Sequence, residues 1–304
     1  MEPVQLSQLV DMEDSHAVLN EVENVVSMLY TDFDFEMLNN VFSDIVQLFG
    51  GEYPGYSRCQ TQYHDLKHTT DTFLAMARLI HGAILKGENL TRDEVMLGLL
   101  CALMHDTGYI RSVDDEASTN THDDPTDIKR SIAFMNRYMS DHGLSPDVFN
   151  HSSVILTCTD LSTDITKIHF PSREIELLAK LLGTADLLGQ MADRTYLEKL
   201  LFLFYEFRDG GVMGYDNELD LLKKTRDFYA MIQQRITKDL SGVTEYMRHH
   251  FKARWDLDRD LYAEAVENHI SYLNFILKHH EKDYRNYLRR GGLVKRLNEK
   301  RGRS

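Results

Sequence analysis

Residues 91–108 read TRDEVMLGLLCALMHDTG, and the marks of a helix stand in them in order. Thr91 and Glu94 have capping-box spacing, in which each side chain satisfies a free backbone N–H at the first turn. Val95, Met96, Leu99, Leu100 and Leu103 then recur at the 3.6-residue period, not the two-residue alternation of a strand. The run ends on His105-Asp106, two polar groups delivered by an apolar segment, and Gly108 is read as the point where the chain leaves helical geometry.

The same period recurs outward in both directions. Phe35, Leu38, Val41, Phe42, Ile45 and Leu48 form one stripe, and Ile175, Leu178, Leu181, Leu182 and Ala185 form another. Asp124-Pro125 and Ser145-Pro146 read as N-caps followed by proline at the first helical position, where the missing N–H costs nothing. All five prolines fit outside helix interiors, and no β-branched alternation or Asn-Gly hairpin signal occurs. The expected fold class is all-α. The stripes divide provisionally into a lead-in (1–55), a core (56–205) and a C-terminal helical extension (206–304), with a flexible loop expected at GGVMGY near Gly210.

Composition narrows the function classes. Cys59, Cys101 and Cys158 are widely spaced among 304 residues and form no C-x-x-C pair. That argues against a disulfide framework or thiolate zinc site and for a reducing compartment. No positive, apolar leader and no membrane-length apolar run is evident, so a cytoplasmic location is expected. Residues 285–304 hold eight Arg or Lys against Glu299, a surplus of seven, which leaves −21 on the remainder of a chain whose net charge is −14. An acidic body repels nucleic acid, which is therefore not the expected partner.

Polar residues inside apolar helices carry the chemistry. His64 and His68 are four apart, on one face of a helix if both are helical. His105-Asp106 closes the 91–108 segment, and Asp186 stands alone in LLGTADLL. Burying these groups costs several kcal/mol unless each is paired, and one cation compensates all of them together. Two imidazoles and two carboxylates suit a borderline or hard divalent metal.

The ordered pattern His68…His105-Asp106…Asp186 resembles that of the HD-superfamily metal-dependent phosphohydrolases. Tyr63-His64-Asp65-Leu66-Lys67-His68 is similar to the Y-H-N-x-x-H segment of the cyclic-nucleotide phosphodiesterases, with Asp65 in place of asparagine. Thr157-Cys158-Thr159-Asp160-Leu161-Ser162 and Thr184-Ala185-Asp186-Leu187 resemble two further segments of that family. Two departures separate them: Tyr109 stands where the family has another histidine, and its purine-clamping glutamine has no counterpart. The resemblance implies an HD-type helical bundle with N- and C-terminal extensions. It implies one or two divalent ions (Mg, Mn, Zn or Fe) held by His68, His105, Asp106 and Asp186, with His64 as general acid. The substrate implied is a small-molecule phosphate ester, a nucleotide by expectation, cleaved by metal-activated water.

Asp65, Asp160 and Tyr109 are candidates to orient ligand imidazoles, and His122 and His151 could approach the site. The pairs His249-His250 and His279-His280 read as surface residues. The aromatic and aliphatic residues between Tyr196 and Phe207 suit either a pocket wall or core. The stripes through Leu221, Phe228, Ile232 and Ile236, and through Tyr262, Val266, Leu273, Ile276 and Leu277, could supply a homodimer surface. Two alternatives to the hydrolase stay open: a catalytically idle HD-type nucleotide or metal sensor, and a di-iron oxygenase using His122 or His151 at a second iron.

Overall fold

A computed structural model describes residues 4–113, 127–143 and 151–301. Among these, regular structure is helical throughout, and the one β feature is an isolated antiparallel bridge between Tyr56 and Ser112. In chain order the helices are α1 Leu6–Leu9, α2 Ser15–Ser27, α3 Phe35–Gly50, α4 Leu66–Leu85, α5 Arg92–Met104, α6 Asp127–Asp141 and α7 Ser152–Thr157. They continue with α8 Arg173–Met191, α9 Tyr196–Asp209, α10 Glu218–Gln234, α11 Glu245–Trp255, α12 Leu261–His279 and α13 Leu293–Arg301. The all-α expectation holds.

Local chemistry starts these helices where the sequence says. Glu94 Oε2 accepts from Thr91 N at 2.7 Å while Thr91 Oγ1 accepts from Glu94 N at 3.3 Å, the two halves of the capping box. Asp65, Ser172 and Asn217 cap α4, α8 and α10 with a side-chain oxygen that accepts from a first-turn backbone N–H. The caps expected at Asp124 and Ser145 lie outside the described residues.

Two helices differ from a one-sided stripe. Every residue of α5 from Val95 to Met104 is buried, and α4 is buried almost throughout its first eighteen positions. A helix apolar on all sides belongs at the centre of a fold. Accordingly α4 is covered by α2, α5, α8 and α11, and α8 packs on α4 more extensively than on any other helix. Gly189 permits that approach. A Cβ there would stand 2.9 Å from both the backbone N and the Oγ1 of Thr72 on α4, closer than a carbon tolerates.

One continuous core runs from Leu6 to Leu297. Leu221, Ile232, Ile236, Tyr262, Val266, Leu273 and Ile276 are all buried in it, so these residues are not available as the homodimer surface expected of them. The boundary drawn at 205/206 falls inside α9. Cys59, Cys101 and Cys158 are free thiols. Among the described residues no helix is long and apolar enough to cross a membrane. Met213, at the tip of the loop after α9, is 90% exposed.

Candidate metal centre

His68 sits in the first turn of α4, where its backbone N–H is held by Asp65 Oδ1 at 2.9 Å. His105 and Asp106 follow the end of α5. His105 Nδ1 lies 2.8 Å from the carbonyl oxygen of Ala102. A carbonyl only accepts, so Nδ1 carries the hydrogen and the neutral ring presents its lone pair at Nε2. Asp106 takes φ −105° and ψ 9°, leaving the helix in the sparsely allowed bridge region. The turn away from helical geometry therefore comes before Gly108, not at it. Gly108 is required for space: a Cβ there would stand 1.9 Å from the carbonyl oxygen of Asp127. Asp186, on α8, is partly exposed.

These elements bring the four expected residues to one point. His68 Nε2 is 3.2 Å from His105 Nε2, 3.2 Å from Asp106 Oδ2 and 3.0 Å from Asp186 Oδ1. His105 Nε2 is 3.3 Å from Asp106 Oδ2 and 3.5 Å from Asp186 Oδ1. Ligand atoms about 2.1 Å from a common ion stand about 3.0 Å apart at right angles and about 3.4 Å apart at tetrahedral angles. The observed separations fall around those values. Asp106 Oδ2 is buried and makes no hydrogen bond, so its lone pairs are open to a positive charge placed between it and the two imidazoles. His68, His105 and Asp106 offer three donor atoms within 4.8 Å of one another, a group that does not take in Asp186, which faces the two imidazoles from α8. One atom departs from the usual pattern: His68 Nδ1 is buried without a partner, whereas ligand imidazoles normally donate their second N–H.

The electrostatics point the same way. Burial alone would lower the His68 pKa, but Asp106 and Asp186 more than reverse it, to about 9. Burial likewise opposes protonation of His105, and the same two carboxylates raise it well above the ordinary imidazole range. Burial acts to raise the carboxyl pKa values, yet the two imidazoles hold Asp106 well below the usual range and Asp186 at about 2. The site thus attracts positive charge at the two Nε2 atoms, whether as protons or as a metal ion.

His64 precedes α4 and is not on the helix that carries His68, a correction to the one-face expectation. It reaches the same region by other means, with its ring centroid 6.1 Å from that of His68. Its ring stacks on Tyr109 at 4.1 Å and 8°, and its Nδ1 is 3.2 Å from Glu206 Oε2. The other oxygen, Glu206 Oε1, accepts from the backbone N–H groups of Gln62 and Tyr63 at 2.7 and 2.8 Å. Sequence reasoning missed Glu206, which is one carboxylate in a run of aromatic and aliphatic residues on α9. The available signal was its isolation there, together with the i, i+7 spacing to Lys199. Lys199, 3% exposed, is paired with Asp65 at 3.0 Å and Asp193 at 3.2 Å.

The remaining candidates separate. Asp65 caps α4 and pairs with Lys199; it is not bonded to an imidazole. Tyr109 touches His64, and Asp160 accepts from Ser162 and Thr163, so neither orients the ring of His68 or His105. His151 precedes α7 and is not among the described cavity residues. His122 lies outside the described residues. His250 is not a surface residue: it is fully buried, with its Nδ1 3.2 Å from His81 Nδ1. A cavity of about 400 Å³ opens on the centre, lined by His64, the four converging residues and side chains of α8, α9 and α10. Leu200, Leu203 and Phe207 face it, while Tyr196 and Leu201 are core, so the 196–207 segment serves both expected purposes.

No curated protein and no solved structure matches the chain. A family model described as Npun_R2479-like matches residues 16–262, the span that holds every side chain of the centre and the whole cavity wall. The chain belongs to the Npun_R2479-like family.

Proposed function

We propose that this protein is a divalent-metal-dependent phosphohydrolase of the HD type, acting on a small-molecule phosphate ester. The observation that carries the reading is the convergence of His68 Nε2, His105 Nε2 and Asp106 Oδ2 at 3.2–3.3 Å, that oxygen buried without a hydrogen bond, with Asp186 Oδ1 at 3.0 and 3.5 Å from the two imidazoles. His68, His105, Asp106 and Asp186 would hold the ion. Bound there, a divalent cation supplies a water of lowered pKa and a counter-charge for phosphoryl oxygens.

The chain's own residues supply the rest. His64 gives a proton to the leaving oxygen as general acid. Glu206 keeps the His64 Nδ1 hydrogen engaged, which leaves Nε2 as the proton-donating atom, and stacking on Tyr109 fixes the ring plane. Glu206 and the backbone N–H groups of Gln62 and Tyr63 tie this segment to α9, so the acid is positioned by a helix and not by a free loop. The apolar wall excludes bulk water and strengthens the interactions inside it.

Metal analysis of tag-free protein, joined to hydrolysis of bis(p-nitrophenyl) phosphate, tests the reading. Wild type should carry stoichiometric metal and turn over, Asp106→Asn should lose both, and His64→Ala should keep metal while losing turnover. Stoichiometric metal with no hydrolysis of any phosphate ester would favour the sensor instead. An iron-dependent optical band on exposure to oxygen would favour the oxygenase.

A further inference from the structure

The cavity beside the candidate centre has a sharply uneven polar inventory. Among its described lining residues the carboxylates are Asp106, Asp127, Asp160 and Asp186, and the only Lys or Arg is Lys224. Lys224 is already committed, since its Nζ donates to Asp220 Oδ2 and to the Gly214 carbonyl oxygen, both at 2.7 Å. One or two divalent ions would balance a single phosphoryl group at the centre. Further phosphates would have to lie against carboxylates or aliphatic side chains, where charge is heavily penalised.

The wall's three aliphatic hydroxyls are likewise engaged. Thr225 Oγ1 donates to the Leu221 carbonyl at 2.9 Å, Thr159 Oγ1 to the Leu156 carbonyl at 2.9 Å, and Ser162 Oγ to Asp160 Oδ1 at 2.7 Å. Beside the phenol rings of Tyr63, Tyr109 and Tyr215, most of what remains facing the cavity is apolar: Leu187, Met191, Leu203, Leu221, Phe207 and Phe228. Phe207 is further stiffened by stacking on Tyr215 at 5.5 Å and 18°. A site that discriminates among nucleobases needs donors and acceptors set against their edges, because an apolar pocket rejects such variants only weakly. Within this wall the side-chain amide of Gln190, one turn from Asp186, is turned toward the Tyr63 hydroxyl.

We infer that the cavity takes a phosphate ester with one phosphoryl group on an apolar or aromatic carrier, in preference to nucleotides and polyphosphates. The inference rests on the phosphohydrolase reading and narrows it away from the nucleotide expected from sequence. The carrier lies against Leu203 and Phe228, and the phosphoryl group faces the centre. Selectivity comes from buried apolar area and from the absence of free cations, not from base reading.

The test uses full-length, manganese-loaded protein and probes that cannot be hydrolysed, so that binding is read apart from turnover. Calorimetric titration compares phenylphosphonate, methylphosphonate, the 5′-phosphonate analogue of adenosine monophosphate, and a methylene-bridged adenosine triphosphate. The phenyl compound should bind at least tenfold tighter than the methyl compound. It should also bind tighter than the nucleoside phosphonate, and the triphosphate analogue should bind weakest. Phe228→Ala, at a half-buried position that does not threaten folding, should remove most of the phenyl advantage and leave methylphosphonate affinity unchanged; Leu203→Trp should do the same by filling the cavity. Tighter binding of either adenosine compound, or a phenyl advantage untouched by both substitutions, overturns the inference. Manganese retained with no phosphonate bound overturns it as well. Failure of the protein to bind manganese at all sinks the metal reading beneath it, and manganese content, measured first, tells the two failures apart.

Discussion

Replacing Gly189 by alanine adds one methyl group at the contact that sets Asp186 beside His68. Two terms of opposite sign decide the outcome. Alanine in place of glycine within a helix gains about 1 kcal/mol of helix propensity. Against this, the new Cβ would meet Thr72 N and Oγ1 at 2.9 Å and Thr72 Cα at 3.1 Å. Two of those atoms are backbone of a fully buried helix, which cannot rotate away, and overpacking of a filled interior costs about 1–3 kcal/mol. Gly50, the last residue of α3, is the matched control, because a Cβ there meets nothing within 4 Å. Gly189→Ala should therefore be less stable than Gly50→Ala by the overpacking term, about 1–3 kcal/mol, in urea unfolding followed by circular dichroism. The relief available to Gly189→Ala is to move α8 away from α4, which lengthens the 3.0 Å separation of Asp186 Oδ1 from His68 Nε2. Manganese affinity should fall in Gly189→Ala and not in Gly50→Ala. Equal stabilisation by the two substitutions, with unchanged metal affinity in both, would refute the claim that this close approach builds the centre.

Two further outcomes follow from other contacts. Glu206→Gln replaces the anionic partner of His64 by a neutral one; turnover should fall about 10–100-fold, the usual cost of losing an orienting partner, with metal content unchanged, and loss of the metal instead would contradict the positioning role. The second concerns His81 and His250, both buried on the far side of α4. Burial, reinforced by Arg254, lowers the His81 pKa to about 4, and burial with Arg78, His81 and Arg254 lowers that of His250 well below its ordinary value. The folded state then binds fewer protons than the unfolded one below pH ~6.5. Stability should fall as pH drops from ~6.5 toward 4, by up to about 3 kcal/mol for His81. His81→Leu/His250→Phe should flatten this part of the urea-midpoint profile, and a profile as steep as wild type would show that the pair is not the cause.

The helices were legible from their apolar period and, at α5, from the capping pair Thr91 with Glu94; the caps Asp65 and Ser172 obey the same local chemistry and were not read as caps. The four converging residues were legible because carboxylates and imidazoles inside apolar runs need compensation, and that need is visible in one dimension. What escaped was set by contacts across long stretches of chain. Glu206 meets His64 from 142 positions away, and nothing in either neighbourhood announces the meeting. His250 looked like half of a surface pair beside Arg248 and Lys252, yet the turn of α11 that carries it faces α4 and the buried His81. Gly108 looked like a helix stop because glycine often is one; its actual constraint is the carbonyl of Asp127.

The placement of Glu206 and Lys199 has a consequence for how the molecule is divided. Both lie on α9, seven residues apart and so on one face of that helix. From that face Lys199 holds Asp65, which caps α4 under His68, while Glu206 holds His64 and two backbone N–H groups just before the cap. Residues 62–68 are thus clamped at both ends by a helix that crosses the boundary drawn between core and extension. The helix that follows it, α10, adds Leu221 and Phe228 to the cavity wall. A truncation after residue 205 would leave the four converging side chains in the chain but remove Glu206 and the part of the wall made by Phe207, Tyr215, Leu221, Lys224, Thr225 and Phe228. The four converging residues and the C-terminal helices accordingly form one unit; under the proposed function the core supplies the charges and the extension fixes where the acid and the apolar carrier stand.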